Sequence, residues 1–143
     1  MIYLDSSYII KCYIHEPGTP RVLQLVQTHP GRASCLLGRS EFWSAVYRHV
    51  REGNLARAEA VRVWRLFESD EHQGLWQWLC LDHAVVRRSC SVFEKLGASV
   101  FLRSSDALHL ACAAENGFTE IYSNDRHLLA SAEHFGLTGR NVI

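Results

Sequence analysis

The chain has 143 residues, of which 48% are hydrophobic and 21% charged, and its fifteen Lys and Arg are matched by fifteen Asp and Glu. That length suits one domain whose core needs no disulfide or metal staple. Zero net charge excludes a protein that holds nucleic acid through bulk charge, so any such contact has to be local. The five cysteines (Cys12, Cys35, Cys80, Cys90, Cys112) are odd in number, scattered and without a CxxC pair. Neither a disulfide framework nor a zinc site is expected, and a reducing cytoplasm is the expected setting. The N-terminal apolar run has no basic segment before it and is cut by Asp5, and no run of about 18 apolar residues occurs, so neither a signal peptide nor a membrane span is expected. No repeat, low-complexity tract or Pro/Gly/Ser-rich linker divides residues 1–143, which predicts a single domain.

In chain order, residues 2–4 read as a first strand, ended by Asp5, Ser6 and Ser7. Tyr8, Ile9, Cys12 and Tyr13 then recur at helical spacing up to the EPG turn at residues 16–18. A second helix starts near Arg21 and stops at the HPGR turn. ASCLL, residues 33–37, is short, apolar and bounded by turn signals, as a buried parallel strand would be. From Ser40, the residues Phe42, Trp43, Val46, Tyr47 and Val50 form one helical stripe ending at Gly53. A further helix from about Asn54 turns Val61, Trp64 and Phe67 inward, which makes a helical hairpin. LWQWLCL (75–81) reads as a strand, DHAVVRRSCSVFEKLG (82–97) as a helix and SSDALHLACAAENG (104–117) as a small-residue helix. EIYSND (120–125) is a strand entering a polar turn, and RHLLASAEHFG (126–136) a last helix. Strands alternating with helices predict βαβ units, hence an α/β chain with a mostly parallel sheet covered on both faces.

In such sheets a ligand sits beyond the carboxyl ends of the strands, near a topological switch point. Asp5 and Asp125 each end a strand and face the same rim. Asp106 and Glu41 each fall in the first turn of a helix, the latter after Ser40. Singly, each has an ordinary explanation: an acid in a first turn complements the helix dipole, and an Asp after a strand is a turn former or N-cap. Together they repel unless a cation neutralises them. Hard carboxylate oxygens of this kind suit Mg²⁺ or Mn²⁺.

MIYLDSSYIIKCYIHEPG, RSEFWSAVYRHV, LRSSDALHLACAAENG and EIYSNDRHLLASAEHFGL resemble, in order and spacing, the four blocks of PIN-domain proteins, especially VapC-type toxins of toxin–antitoxin modules. DALHLA with SND following at residues 123–125 is the most specific part of the likeness. The resemblance implies an α/β/α sandwich and a metal-dependent ribonuclease. It places the family's acidic set on Asp5, Glu41, Asp106 and Asp125, a hydroxyl beside the first Asp on Ser6, and auxiliary polar groups on Ser123 and Asn124. It also implies an RNA substrate, a cognate antitoxin protein received in a groove, and a homodimer. The hairpin bearing Phe42, Trp43, Val46, Tyr47 and Trp64 is rich in large apolar groups for a thin layer over a sheet: either they cover the sheet, or, as the resemblance implies, some of them form such a surface.

The remaining candidates have plainer readings. His109, on the helix face of Asp106, is expected to pack behind the site, and His127 to be a solvated first-turn residue. Lys11, Arg39 and Arg126 stand close enough to the carboxylates in sequence to reach a phosphate, with a surface salt bridge as the default. Trp76 and Trp78 share one side of a strand and read as core or interface before a base-stacking platform. No GxxxxGK[ST], GxGxxG or GxSxG motif occurs. A haloacid-type phosphatase would want a second Asp two residues after the first, where Ser7 stands. A non-catalytic module of the same fold would be missing one or more acids, and here all four positions are filled.

Overall fold

A computed structural model describes residues 1–143. β1 (Ile2–Tyr3) lies beside β2 (Arg32–Cys35) and β2 beside β3 (Trp76–Leu79), all in parallel. β4 (Glu120–Tyr122) pairs in parallel with β5 (Thr138–Arg140), and a parallel bridge from Leu4 to Tyr122 joins the two groups. The layer therefore runs β3-β2-β1-β4-β5. After β1 the chain works outward through β2 to β3 and then returns to the other side of β1. The switch point of the sheet is thus the crevice between β1 and β4, at their carboxyl ends.

Seven helices cover the layer: α1 (Ser6–Lys11), α2 (Thr19–Gln27), α3 (Leu36–Arg51), α4 (Arg57–His72), α5 (His83–Phe93), α6 (Ser104–Glu115) and α7 (Arg126–Ser131). The pleat of the first strand divides the core. Ile2 and Leu4 join Tyr8, Val22, Phe42, Val46 and Phe67 on the face covered by α1–α4. Tyr3, between them, joins Leu110, Ala111, Ile121 and Leu128 on the face covered by α5–α7. Successive strand residues point to opposite faces, so two apolar sets sharing one short strand make the expected α/β/α sandwich.

Several boundaries differ from expectation, and the helix read over residues 82–97 is α5, which ends at Phe93. The strand read over residues 33–37 stops at Cys35, whose extended backbone is the N-cap of α3, and Leu36 and Leu37 open the helix. Glu41 consequently lies in the second turn of α3, not the first, and the helix dipole does not account for it. The last helix ends at Ser131 and tightens into a 3₁₀ turn, Ala132–Phe135, closed by Gly136 at φ 76°. β5 is unanticipated because Thr138 and Arg140 are exposed and carry no apolar alternation. It can lie against α7 because residue 139 is glycine: a Cβ there would sit 2.9 Å from the Leu129 carbonyl oxygen.

The hairpin of α3 and α4 forms, but of its apolar set Phe42 and Val46 are fully buried in the core and only Tyr47 is exposed. Phe42 stacks on Phe67 with ring centroids 4.1 Å apart, and Trp43 stacks on Trp64 at 4.9 Å. Trp76 and Trp78 stack on each other at 5.5 Å and lie against Phe67, which makes them core. Tyr47, Leu36 and Leu66 are exposed on this side of the molecule.

Candidate active site

The first carboxylate is built by the step from strand to helix. At the end of β1 the Asp5 amide donates to the Tyr122 carbonyl at 3.1 Å, tying the residue to β4. Its side chain is buried (4% exposed) and fully engaged. Oδ1 accepts from the Tyr8 amide at 3.1 Å, capping α1, and from the Ser7 hydroxyl at 2.6 Å; Oδ2 accepts from the Ser123 hydroxyl at 2.6 Å. The capping role and a site role are therefore compatible: one oxygen serves the helix while the other turns toward β4. Burial raises the Asp5 pKa above the ordinary carboxylate value, against the lowering effect of the Ser123 and Ser7 hydroxyls.

Ser123 is the hinge of the crevice. Fully buried at the end of β4, it donates to Asp5 and accepts from the Asp125 amide at 2.9 Å. Asp125 divides its own carboxylate: Oδ1 caps α7 through the amides of His127 (2.8 Å) and Leu128 (3.2 Å), and Oδ2 accepts from Arg103. Burial would raise its pKa, but those two amides and then Arg103 together hold it below the ordinary value. Asp106, in the first turn of α6 and 6% exposed, takes the other contacts of the same guanidinium, from Nε at 2.7 Å and Nη2 at 3.3 Å.

Glu41 reaches the crevice from the opposite layer. His109, one turn beyond Asp106 and 2% exposed, holds it across the interface: Nε2 donates to Glu41 Oε2 at 2.8 Å, while Nδ1 meets the Tyr3 hydroxyl at 3.1 Å. Because a carboxylate only accepts, Nε2 must carry the hydrogen. Burial opposes ionisation of Glu41, yet His109, the Ser6 hydroxyl and the Arg103 charge together hold its pKa below the usual range. The first turns of α3 come this close to His109 because residue 38 is glycine, where a Cβ would stand 2.7 Å from Ser34 Oγ and 3.2 Å from His109 Cε1.

A cleft of about 490 Å³ opens over these groups, lined by Ser6, Ser7, Glu41, Arg48, Arg51 and Asp125 among others. The two arginines supply the local positive charge that the neutral chain as a whole lacks. The sequence reading names neither; the signal that would have found them is Arg48 two turns after Glu41 on one helix face, with Arg51 a further three residues on. Ser7, rather than Ser6, bonds to Asp5, and it also accepts from the Asn124 amide at 3.2 Å. The Asn124 side chain itself is exposed. Lys11 is buried and paired with Glu16 at 2.9 Å, so it does not reach the cleft. Arg39 forks onto Glu71 at 2.7 and 3.1 Å. Arg126 has no carboxylate partner and donates to His127 at 3.3 Å, and His127 is half-buried against Phe101 at 4.5 Å rather than freely solvated. Arg103 escapes the sequence reading because it precedes its acid by three residues, whereas Arg39 aside, the basic candidates all follow theirs.

Of the four predicted carboxylates, Glu41 and Asp125 line the cleft, while Asp106 is joined to Asp125 through Arg103 and Asp5 through Ser123; no three His, Cys, Asp or Glu side chains are arranged to hold a metal ion as they stand. The cation between Asp106 and Asp125 is the guanidinium of Arg103.

An acidic crevice of hard oxygen donors at the switch point of a parallel five-strand layer is the kind of site this fold presents. The chain belongs to the PIN domain family, whose model matches residues 2–134. Among characterised proteins, Ribonuclease VapC47 of Mycobacterium tuberculosis (strain CDC 1551 / Oshkosh) is 30% identical over 142 residues, covering 95% of this chain and 93% of that protein. The fold is shared with solved structures of low identity. Mycobacterium tuberculosis VapC20, described as a Sarcin-Ricin loop cleaving toxin, superposes with TM-score 0.71 at 14% identity, over 92% of this chain and 95% of that one. VapBC2 from Rickettsia felis, bound to a DNA fragment from its promoter, gives 0.70 at 13% identity over 99% and 98%. FitAB bound to the IR36 DNA fragment gives 0.72 at 16% identity over 99% and 94%. No helix is long and apolar enough to cross a membrane.

Proposed function

We propose that the chain is an endoribonuclease that hydrolyses RNA phosphodiester bonds with Mg²⁺ or Mn²⁺, and that it is the toxin of a toxin–antitoxin pair. The observation that carries this reading is the convergence of Asp5, Asp106, Asp125 and Glu41 on the β1/β4 crevice with a cation already between two of them. Two acids lining a cleft with two more buried behind it need positive charge, and the donor set, all carboxylate oxygen, is that of a hard divalent ion. Asp5, Asp106 and Asp125 would hold the ion, with Glu41 as a further ligand or as the acceptor that orients a water. Such an ion supplies a water of lowered pKa and offsets charge on phosphoryl oxygens.

The chain's own residues do the rest. Ser123 and Ser7 fix both oxygens of Asp5, so that carboxylate needs no reorganisation when substrate arrives. His109 fixes Oε2 of Glu41 and holds that carboxylate at the wall of the cleft. Arg48 and Arg51 line the cleft as phosphate contacts, which position the strand without reading its bases. The ribonuclease and toxin descriptions of VapC47 and VapC20 support the same chemistry. Exposed Tyr47, Leu36 and Leu66 fit a surface for a cognate antitoxin and a second copy of the chain, and five free cysteines fit a reducing cytoplasm.

Cleavage of end-labelled RNA by the purified chain in Mg²⁺ tests the reading. Asp106→Asn and Glu41→Gln are expected to lose activity by orders of magnitude at unchanged fold. Wild-type rates in Asp106→Asn would overturn the assignment of Asp106, and absence of Mg²⁺-dependent cleavage by the wild-type chain would favour a module that binds RNA or protein without cutting.

A further inference from the structure

Arg103 is the N-cap residue of α6, with extended backbone (φ −85°, ψ 155°) that leads straight into the helix carrying Asp106. Its Nε donates to Asp106 Oδ2 at 2.7 Å, and its Nη2 donates both to Asp106 Oδ1 at 3.3 Å and to Asp125 Oδ2. One guanidinium therefore spans carboxylates supplied by α6 and by the end of β4, and engages three of their four oxygens. The fourth, Asp125 Oδ1, is committed to the first turn of α7. The other two acids have partners of their own, Asp5 in Ser7 and Ser123 and Glu41 in His109.

The two sides of this contact differ in freedom. The Asp106 side chain is 8% exposed, whereas that of Arg103 is 52% exposed on a long, unbranched stem. The carboxylates are set by helix starts and strand ends, and the arginine is the partner able to leave. A planar fork that bridges two acids is a geometry a lysine cannot reproduce, since an ammonium is a single point charge. The two acids in turn hold the guanidinium firmly in its charged form, Asp106 more than Asp125.

We infer that Arg103 is a resident counter-cation that competes with the divalent ion for Asp106 and Asp125, so that ion uptake requires its guanidinium to swing out of the crevice. The inference deepens the reading of these carboxylates as a metal site and rests on it. Its consequence runs opposite to that of an ordinary supporting residue. Without the guanidinium the two acids repel in the metal-free protein and favour an incoming ion, so the fold weakens while ion affinity rises.

The test is titration calorimetry with MnCl₂ on wild type, Arg103→Gln, Arg103→Lys and Asp106→Asn, with melting temperatures of each in EDTA and in MnCl₂. Arg103→Gln is expected to bind Mn²⁺ about tenfold more tightly than wild type. It should also melt lower in EDTA and show a larger Mn²⁺-induced rise, with Arg103→Lys between the two. Should the Gln variant fail to fold in EDTA, the Lys variant carries the affinity comparison. Equal or weaker Mn²⁺ binding by both Arg103 variants, with loss of binding in Asp106→Asn, would overturn the role of Arg103 and leave the metal site standing. Wild-type Mn²⁺ binding in Asp106→Asn, or none in any protein, would overturn both.

Discussion

His109→Leu isolates the link between the buried core and Glu41. Leucine fills nearly the same volume, so the change removes polar contacts rather than opening a cavity. Glu41, whose side chain is 27% exposed, is rehydrated at little cost. The Tyr3 hydroxyl is fully buried and is left with the Cys35 amide at 3.1 Å as its hydrogen-bond partner. A buried polar group that loses its partner costs about 1–3 kcal/mol. For a domain near this size about 2 kcal/mol lowers the melting temperature by roughly 4–8 °C. The pH dependence has a definite sign. Burial disfavours the His109 imidazolium, but Cys35 on one nitrogen and Glu41 on the other hold its pKa well above the ordinary value. A basic group with raised folded-state pKa contributes stability below its unfolded pKa, about 6.5, and loses it as pH rises through the folded value. Melts by circular dichroism at pH 6, 7.5 and 9 should therefore show the largest gap between wild type and His109→Leu at pH 6, narrowing toward pH 9. A gap that is absent, or that widens with pH, would refute this account of the His109–Glu41 pair. His109→Gln, which keeps an N–H donor for Glu41, should retain more RNA cleavage than His109→Leu.

Asp5→Asn removes a charge whose pKa burial has raised, so in EDTA at pH 7.5 the variant should melt as high as wild type or higher, the gap closing as pH falls and wild-type Asp5 protonates; its cleavage should fall by orders of magnitude. A lower melting temperature in EDTA would show that the hydrogen bonds from Ser7, Tyr8 and Ser123 outweigh the buried charge. Gly38→Ala brings a Cβ within 2.7 Å of Ser34 Oγ and 3.2 Å of His109 Cε1. Overpacking of about 1–3 kcal/mol exceeds the helix-propensity gain of about 1 kcal/mol. The melting temperature should drop and cleavage with it; a rise would contradict the close packing of α3 on His109. Arg48→Gln with Arg51→Gln should weaken RNA binding across sequences and reduce the salt slope by about 0.7 for each arginine that pairs with a phosphate, measured by RNA titration of a cleavage-deficient Asp5→Asn background at several salt concentrations. An unchanged slope would remove both arginines from the RNA path.

Much of the architecture was legible because it depends on local signals. Alternating strand and helix patterns with turn residues between them predicted the parallel layer and its two coats, and the SND turn after a short strand located Asp125. The misplaced start of α3 shows the limit of a short apolar run: CLL satisfies strand and helix patterns equally, and the pairing of β2 with its neighbours stops at Cys35. β5 was invisible because an edge strand with exposed Thr138 and Arg140 owes its place to the α7–Gly139 contact, which lies outside its own composition. The acids were legible individually, and Ser123 and His109 were expected near them, but Arg103 was not, nor which acid each partner holds. The Ser123–Asp5, His109–Glu41 and Arg103–Asp125 contacts join residues 118, 68 and 22 positions apart, which only the folded chain brings together.

The central claim, that the carboxylates of the β1/β4 crevice use a divalent ion to hydrolyse RNA with water as the nucleophile, is tested most directly by the ends of the product. Defined RNA should be incubated with the purified chain in Mg²⁺ and in excess EDTA, and the fragments analysed by mass spectrometry. Attack by an ion-activated water leaves the ribose 2′-hydroxyl uninvolved, so the account predicts 5′-phosphate and 3′-hydroxyl ends in Mg²⁺ and intact RNA in EDTA. Fragments ending in 2′,3′-cyclic phosphate, or cleavage that persists in EDTA, would contradict it.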